Sequence, residues 1–166
     1  MVDSALFIIY QYRRNHFLHI RNFTAGRNDD SSRTDDLFTV RIFLSHRQRI
    51  FSGRYIDFSF DKLRLGGSAF AQSLNKVGDD VPTVQNPEYF RDAFLAVQEL
   101  VNKGLIMAGH DISAGGLITT LLEMCFSNME GGMEISLNKI KEDDIIKILF
   151  AENPGIVITG SQTTRI

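Results

Sequence analysis

The stretch Gly104-Leu-Ile-Met-Ala-Gly-His-Asp-Ile-Ser-Ala-Gly-Gly-Leu117 decides how the rest of the chain is read. Leu105 to Ala108 are apolar on consecutive positions, which suits a short strand covered on both faces. Gly109 ends that run, so His110 and Asp111 fall where the strand opens into a turn, and a helix begins near Leu117. Gly115 and Gly116 lack Cβ atoms, so a ligand can come close to the backbone there. Amides at a helix start, with the helix dipole behind them, favour an anion. Asp111 offers the carboxylate oxygen that Mg²⁺ prefers. The chemistry of the turn is therefore that of a phosphate-plus-metal site. A plainer reading stands beside it: an Asp or Ser before a helix is ordinarily an N-cap, and short glycine turns recur in many folds. A lone histidine such as His110 is ordinarily structural rather than catalytic.

Working outward, the helix that follows carries Leu117, Ile118, Leu121, Leu122, Cys125 and Phe126 toward a core, and Glu123 within it is open to a ligand role or, more ordinarily, a solvated or capping one. Met133 to Leu137 alternate as a half-buried strand, and Glu142 to Phe150 supply another helix. Asn153-Pro154-Gly155 makes a turn into a last buried strand, Gly155 to Thr159. Before the turn motif, Asn86-Pro87-Glu88 is a helix start with N-cap, proline and first-turn acid. Phe90, Phe94, Val97, Leu100 and Val101 then repeat at three- and four-residue steps, and Lys103-Gly104 closes the helix. That stripe reads as core scaffold. Further back, Tyr55 to Phe60 alternate as a strand, and Gly66-Gly67 leads into a short helix over Ser68 to Asn75. From residue 55 the order is β, α, α, β, α, β, α, β, which predicts an α+β domain with a mixed sheet covered by helices.

Residues 1–54 differ in composition. They hold nine arginines and no lysine, whereas residues 62–166 hold six lysines and three arginines. Phe17 to Ile20 and Phe38 to Leu44 have strand character, but no helix start with caps is present, and residues 28–36 read as an exposed acidic loop. That loop interrupts the basic clusters, and no regular series of stacking aromatics accompanies them, so an arginine-rich nucleic-acid arm is not the expectation. A poorly structured or foreign segment over 1–54 is. The formal charge of −2 favours neither nucleic acid nor membrane, and no run of apolar residues is long enough to span a bilayer. Cys125 is the single cysteine, which excludes an internal disulfide and fits a reducing cytoplasm.

Two separated motifs, Arg64-Leu-Gly-Gly-Ser-Ala-Phe-Ala-Gln72 and His110-Asp-Ile-Ser-Ala-Gly-Gly-Leu117, carry a family resemblance, extended by Leu121-Leu-Glu-Met124, Gly131-Gly132 and Ala151-Glu-Asn-Pro-Gly155. Residues 55–158 resemble the C-terminal domain of aminoimidazole-ribonucleotide (AIR) synthase-like proteins, and more narrowly the second such domain of the phosphoribosylformylglycinamidine synthase family. The resemblance implies ATP-dependent, glutamine-fuelled amidation of formylglycinamide ribonucleotide in purine biosynthesis. It implies ATP or ADP with Mg²⁺ as cofactors, and as partners an N-terminal AIR-synthase-like domain and a glutaminase domain. Carried over, Asp111 is the metal ligand and Ser113 a nucleotide contact, with Gly115 and Gly116 beside it; these are binding roles, and no catalytic residue is assigned. Where family members often have an acidic residue, this chain has Ala114. No synthase activity is expected of this chain alone, and the alternative is a non-catalytic module that packs against its partner domains. Residues 159–166 depart from the family text. Codons for Thr159-Gly-Ser161, read one base later, can encode Gln-Val-Ala, so a change of reading frame is the expectation there, checked by sequencing the source DNA.

Overall fold

The computed structural model describes residues 5–10, 19–24, 38–44, 49–126, 132–137 and 140–160. Seven strands form one sheet in the order β2-β1-β6-β3-β4-β7-β5. They are β1 (Ala5–Tyr10), β2 (His19–Thr24), β3 (Phe38–Leu44), β4 (Arg49–Asp57), β5 (Ile106–Asp111), β6 (Gly132–Ser136) and β7 (Gly155–Gly160). Among the described residues four helices accompany them: α1 (Ala69–Ser73), α2 (Pro87–Asn102), α3 (Gly116–Cys125) and α4 (Ile145–Phe150). The α+β class holds. Every strand pair is antiparallel, so the parallel pairing that a mixed sheet requires does not occur among the described strands. The expectation of a foreign or poorly structured segment over 1–54 falls largely on residues outside the described set, apart from β1, β2, β3 and the start of β4. Of residues 159–166, β7 includes Thr159 and Gly160, and residues 161–166 lie outside the described set.

One core cluster holds the centre. Leu117, Leu121 and Cys125 of α3 and Ile148 of α4 pack with Met133 and Ile135 of β6, Leu137, and Val157 of β7. Leu121, Met133 and Val157 are fully enclosed. The alternation in β6 does what its period-2 pattern demands: Met133 and Ile135 point into the core while Glu134 and Ser136 do not. Strand β7 is buried nearly throughout because it lies between β4 and β5 and under the helices. Cys125 is a buried packing residue, and burial pushes its thiol up.

Two expectations change. The apolar run Leu105–Ala108 predicts a strand covered on both faces; β5 instead ends the sheet order and pairs with β7, and Met107 is 55% exposed. The strand also continues through Gly109, His110 and Asp111. The start of α2 is as read, with the Asn86 side chain accepting from the Tyr89 amide and Pro87 in the first turn. Its apolar stripe, however, is not core scaffold. Val97 is its one buried residue, whereas Phe94 and Val101 are 45% and 51% exposed. The Phe58 ring meets Phe90 and Phe94 edge-on at 5.7 and 6.4 Å, and Phe90 and Leu100 are half-buried, so the stripe is covered only in part.

Candidate functional site

The loop between β5 and α3 gathers the residues singled out by sequence. Asp111 ends the edge strand with its side chain 78% exposed, and Ser113 is exposed on the loop that follows. Their backbone is held from behind. The buried Thr120 hydroxyl donates to the Asp111 carbonyl at 2.9 Å, and the Ile112 amide donates to the Gly155 carbonyl at 2.8 Å. His110 Nδ1 stands 2.8 Å from the same Asp111 carbonyl oxygen, and its Nε2 stands 3.0 Å from Glu123 Oε2. His110 is thus a tie between β5 and α3, and Glu123 is its partner.

The two glycines serve the chain's own packing. Gly115 and Gly116 both adopt left-handed backbone, with φ of 93° and 73°. A Cβ on Gly116 would stand 2.7 Å from the Phe150 carbonyl carbon, and one on Gly115 would overlap the Thr119 hydroxyl. The missing side chains let the first turn of α3 press against the end of α4. The amides are also engaged: Gly116 N–H donates to the Ser113 carbonyl at 3.0 Å, and Gly115 N–H donates to Glu152 Oε1 at 2.7 Å. An anion does sit at this helix start, and it is the protein's own carboxylate.

That same oxygen, Glu152 Oε1, accepts from the Ala69 amide at 2.8 Å. Ala69 opens α1, within the other glycine motif, so the two motifs meet at one carboxylate. The first motif is clamped from its far side as well. Gly66 and Gly67 donate to the Asp80 and Val77 carbonyls at 2.9 and 2.8 Å, and Arg64 reaches Asp61 at 2.9 Å and also pairs with Asp80. The Arg64 guanidinium holds the Asp61 carboxyl well below the usual carboxylate range. Sequence reading placed Asp111, Ser113, Gly115 and Gly116 on one turn; in the structure Ser113 and Gly115 lie on the loop, Asp111 is the last residue of β5 and Gly116 the first of α3. It missed three residues behind them: Glu152, Thr120 and Asn153. Asn153 is buried, donates to Ser59 Oγ and the Lys62 carbonyl at 3.0 Å each, and accepts from the Arg64 amide at 3.3 Å. The available signal was three polar residues inside apolar surroundings: Thr120 within the apolar helix, and Glu152-Asn153 between Ala151 and a proline.

Residues 58–162 match the family described as AIR synthase related protein, C-terminal domain. The chain belongs to that family. It is 39% identical over 110 residues to the probable phosphoribosylformylglycinamidine synthase, chloroplastic/mitochondrial, of Arabidopsis thaliana, a match covering 66% of this chain and 8% of that protein. It is 44% identical over 109 residues to the phosphoribosylformylglycinamidine synthase of Dictyostelium discoideum and 38% over 104 residues to that of Homo sapiens; each match covers 63% of this chain and 8% of the relative. The chain therefore spans less than a tenth of the length of these curated relatives. No solved structure matches it significantly. Among the described residues, no helix is long and apolar enough to cross a membrane.

Proposed function

We propose that this chain supplies the second AIR-synthase-like C-terminal domain of a phosphoribosylformylglycinamidine synthase, and with it half of a site for ATP or ADP and Mg²⁺. The reading places it in purine biosynthesis, as part of an ATP-dependent ligase that converts formylglycinamide ribonucleotide to the amidine with ammonia from glutamine. An N-terminal AIR-synthase-like domain would complete the cleft, and a glutaminase domain would deliver the ammonia. The carrying observation is the Asp111–Ser113 pair, exposed on a loop whose backbone is pinned by buried Thr120.

The donor set fits Mg²⁺ as a shared ion. Among the described residues no group of three or more His, Cys, Asp or Glu stands ready to enclose a metal, so this domain offers no cage. Mg²⁺ commonly takes one or two carboxylates and completes its shell with water and phosphate oxygens. Asp111 would provide such a carboxylate, and the bound ion would offset charge on the phosphates. Ser113 would donate its hydroxyl to a phosphate oxygen, with the Gly115–Gly116 backbone beside it. Thr120 orients Asp111, and His110 holds the strand end to α3. These are binding and orienting tasks, which accords with a domain that contributes no catalytic group. The buried Cys125 suits a reducing compartment such as the cytoplasm.

A second reading, a packing module that binds no nucleotide, draws on the Gly115 amide being taken by Glu152 and on the exposed stripe of α2. Calorimetric titration of ATP–Mg²⁺ into the chain and into Asp111→Ala separates them. The half-site reading expects saturable binding that weakens at least about tenfold in the variant, the usual scale for losing a metal ligand or its support. Absence of heat with both proteins favours the packing module. Amidine formation from ammonia, ATP and formylglycinamide ribonucleotide is not expected of this chain alone.

A further inference from the structure

We infer that Glu152 is the positioning residue of this half-site: its carboxylate ties the loop bearing Asp111 and Ser113 to the start of α1, and so sets where those two side chains face. The inference rests on the half-site reading above and goes beyond it, because that reading gives Glu152 no role toward nucleotide or metal. Three observations carry it.

The first is the bond pattern. One oxygen, Oε1, accepts from Gly115 at 2.7 Å and from Ala69 at 2.8 Å, amides 46 positions apart in sequence, one capping α3 and one opening α1. Both are charge-assisted contacts, the stronger kind of hydrogen bond, and the carboxylate sits at the amino end of α3 where the dipole favours it. Gly115 has no side chain with which to cap that helix, so the cap is supplied from a distance. The second is that Glu152 projects from a fixed base. Its neighbour Ala151 is buried and donates its amide to the Lys147 carbonyl at 3.0 Å, closing α4, while Asn153 on the other side is locked by its three bonds to residues 59, 62 and 64. The third is that the surroundings are already close-packed at this junction. Phe150 stacks on Phe70 of α1 at 4.5 Å, and the backbone of Phe150 abuts Gly116. A carboxylate held between three helix ends has little freedom, and the loops it joins inherit that order.

A displaceable carboxylate that merely fills an anion pocket is the competing account, and it makes the opposite prediction. The test uses the full 166-residue chain as wild type, Glu152→Gln and Glu152→Ala. The amide of Gln keeps an acceptor oxygen and tests for rescue. Two readouts are taken: amide hydrogen exchange at Gly115 and Ala69 without nucleotide, and ATP–Mg²⁺ affinity. The expected result is exchange at both amides at least about tenfold faster in Glu152→Ala, with β4–β7 amides unchanged, because local opening is reported separately from global unfolding. Affinity should fall about tenfold or more in Glu152→Ala and less than about threefold in Glu152→Gln, as for other supporting-residue losses. Unchanged exchange at Gly115 and Ala69 overturns the inference. So does unchanged or tighter nucleotide binding by Glu152→Ala, the latter marking a carboxylate that competes with phosphate. If wild type itself binds no nucleotide, the half-site reading fails, and the tie between the two loops is decided by the exchange arm alone.

Discussion

Helices α2 and α3 carry similar apolar repeats, and the fold treats them differently. In α3, Leu117, Leu121 and Cys125 are buried against β6, β7 and α4. In α2, Val97 alone is buried, and Phe94, Leu95 and Val101 are 45%, 56% and 51% exposed. The difference teaches that a stripe reports a helix with a face to cover, not which body covers it. The exposed side of α2 is apolar surface that a further body could cover.

The sharpest way to break the comparison is to truncate matching residues. Leu121→Ala empties a fully enclosed position and should cost about 2–5 kcal/mol in denaturant unfolding. Val101→Ala on α2 should stay within about 0.5 kcal/mol, as exposed substitutions do. Equal losses would mean that α2 is as much core as α3.

The glycines at the two helix ends give a second, smaller contrast. Gly116 and Gly104 both have positive φ, 73° and 65°, so alanine is strained by about 1–3 kcal/mol at either. At Gly104 an added Cβ meets nothing within 4 Å, whereas at Gly116 it meets the α4 backbone at 2.7 Å. Gly116→Ala should therefore be the more damaging by at least about 1 kcal/mol in thermal unfolding, the scale of overpacking a closed site. A reversed order would show that α3 does not press on α4 in solution.

The smallest effect concerns the loop between β4 and α1. Asp61 accepts from Arg64 and from the Thr83 hydroxyl at 3.2 Å, and its carboxyl lies below the ordinary range. A depressed folded-state pKa stabilises above the unfolded value, about 3.9, and that contribution is lost as pH falls through the folded value. Wild type should hold its advantage over Asp61→Asn at neutral pH and lose it progressively below about pH 4, followed by acid titration of unfolding. An advantage independent of pH would remove the ion pair from the account. Burial acts in the opposite sense on Asp57, raising it despite the bonds from Ser59.

Much of this was legible in the chain. The caps of α2, the period-2 pattern of β6 and the buried run of β7 each state a local preference that the fold keeps, because backbone propensity and side-chain spacing act over a few residues. The turn holding Asp111 and Ser113 was legible for the same reason: its residues are consecutive. The edge position of β5 was not, since four apolar residues in a row look alike at the centre and at the margin of a sheet. Nor was the role of Glu152, whose partners Ala69 and Gly115 lie 83 and 37 positions away. The reading of Gly115 and Gly116 shows the division most clearly. Sequence alone determined that no side chain stands there. Only the tertiary structure decided what uses the space, because the end of α4 and the Glu152 carboxylate reach it through folding, and no local pattern records a neighbour that arrives from elsewhere in the chain.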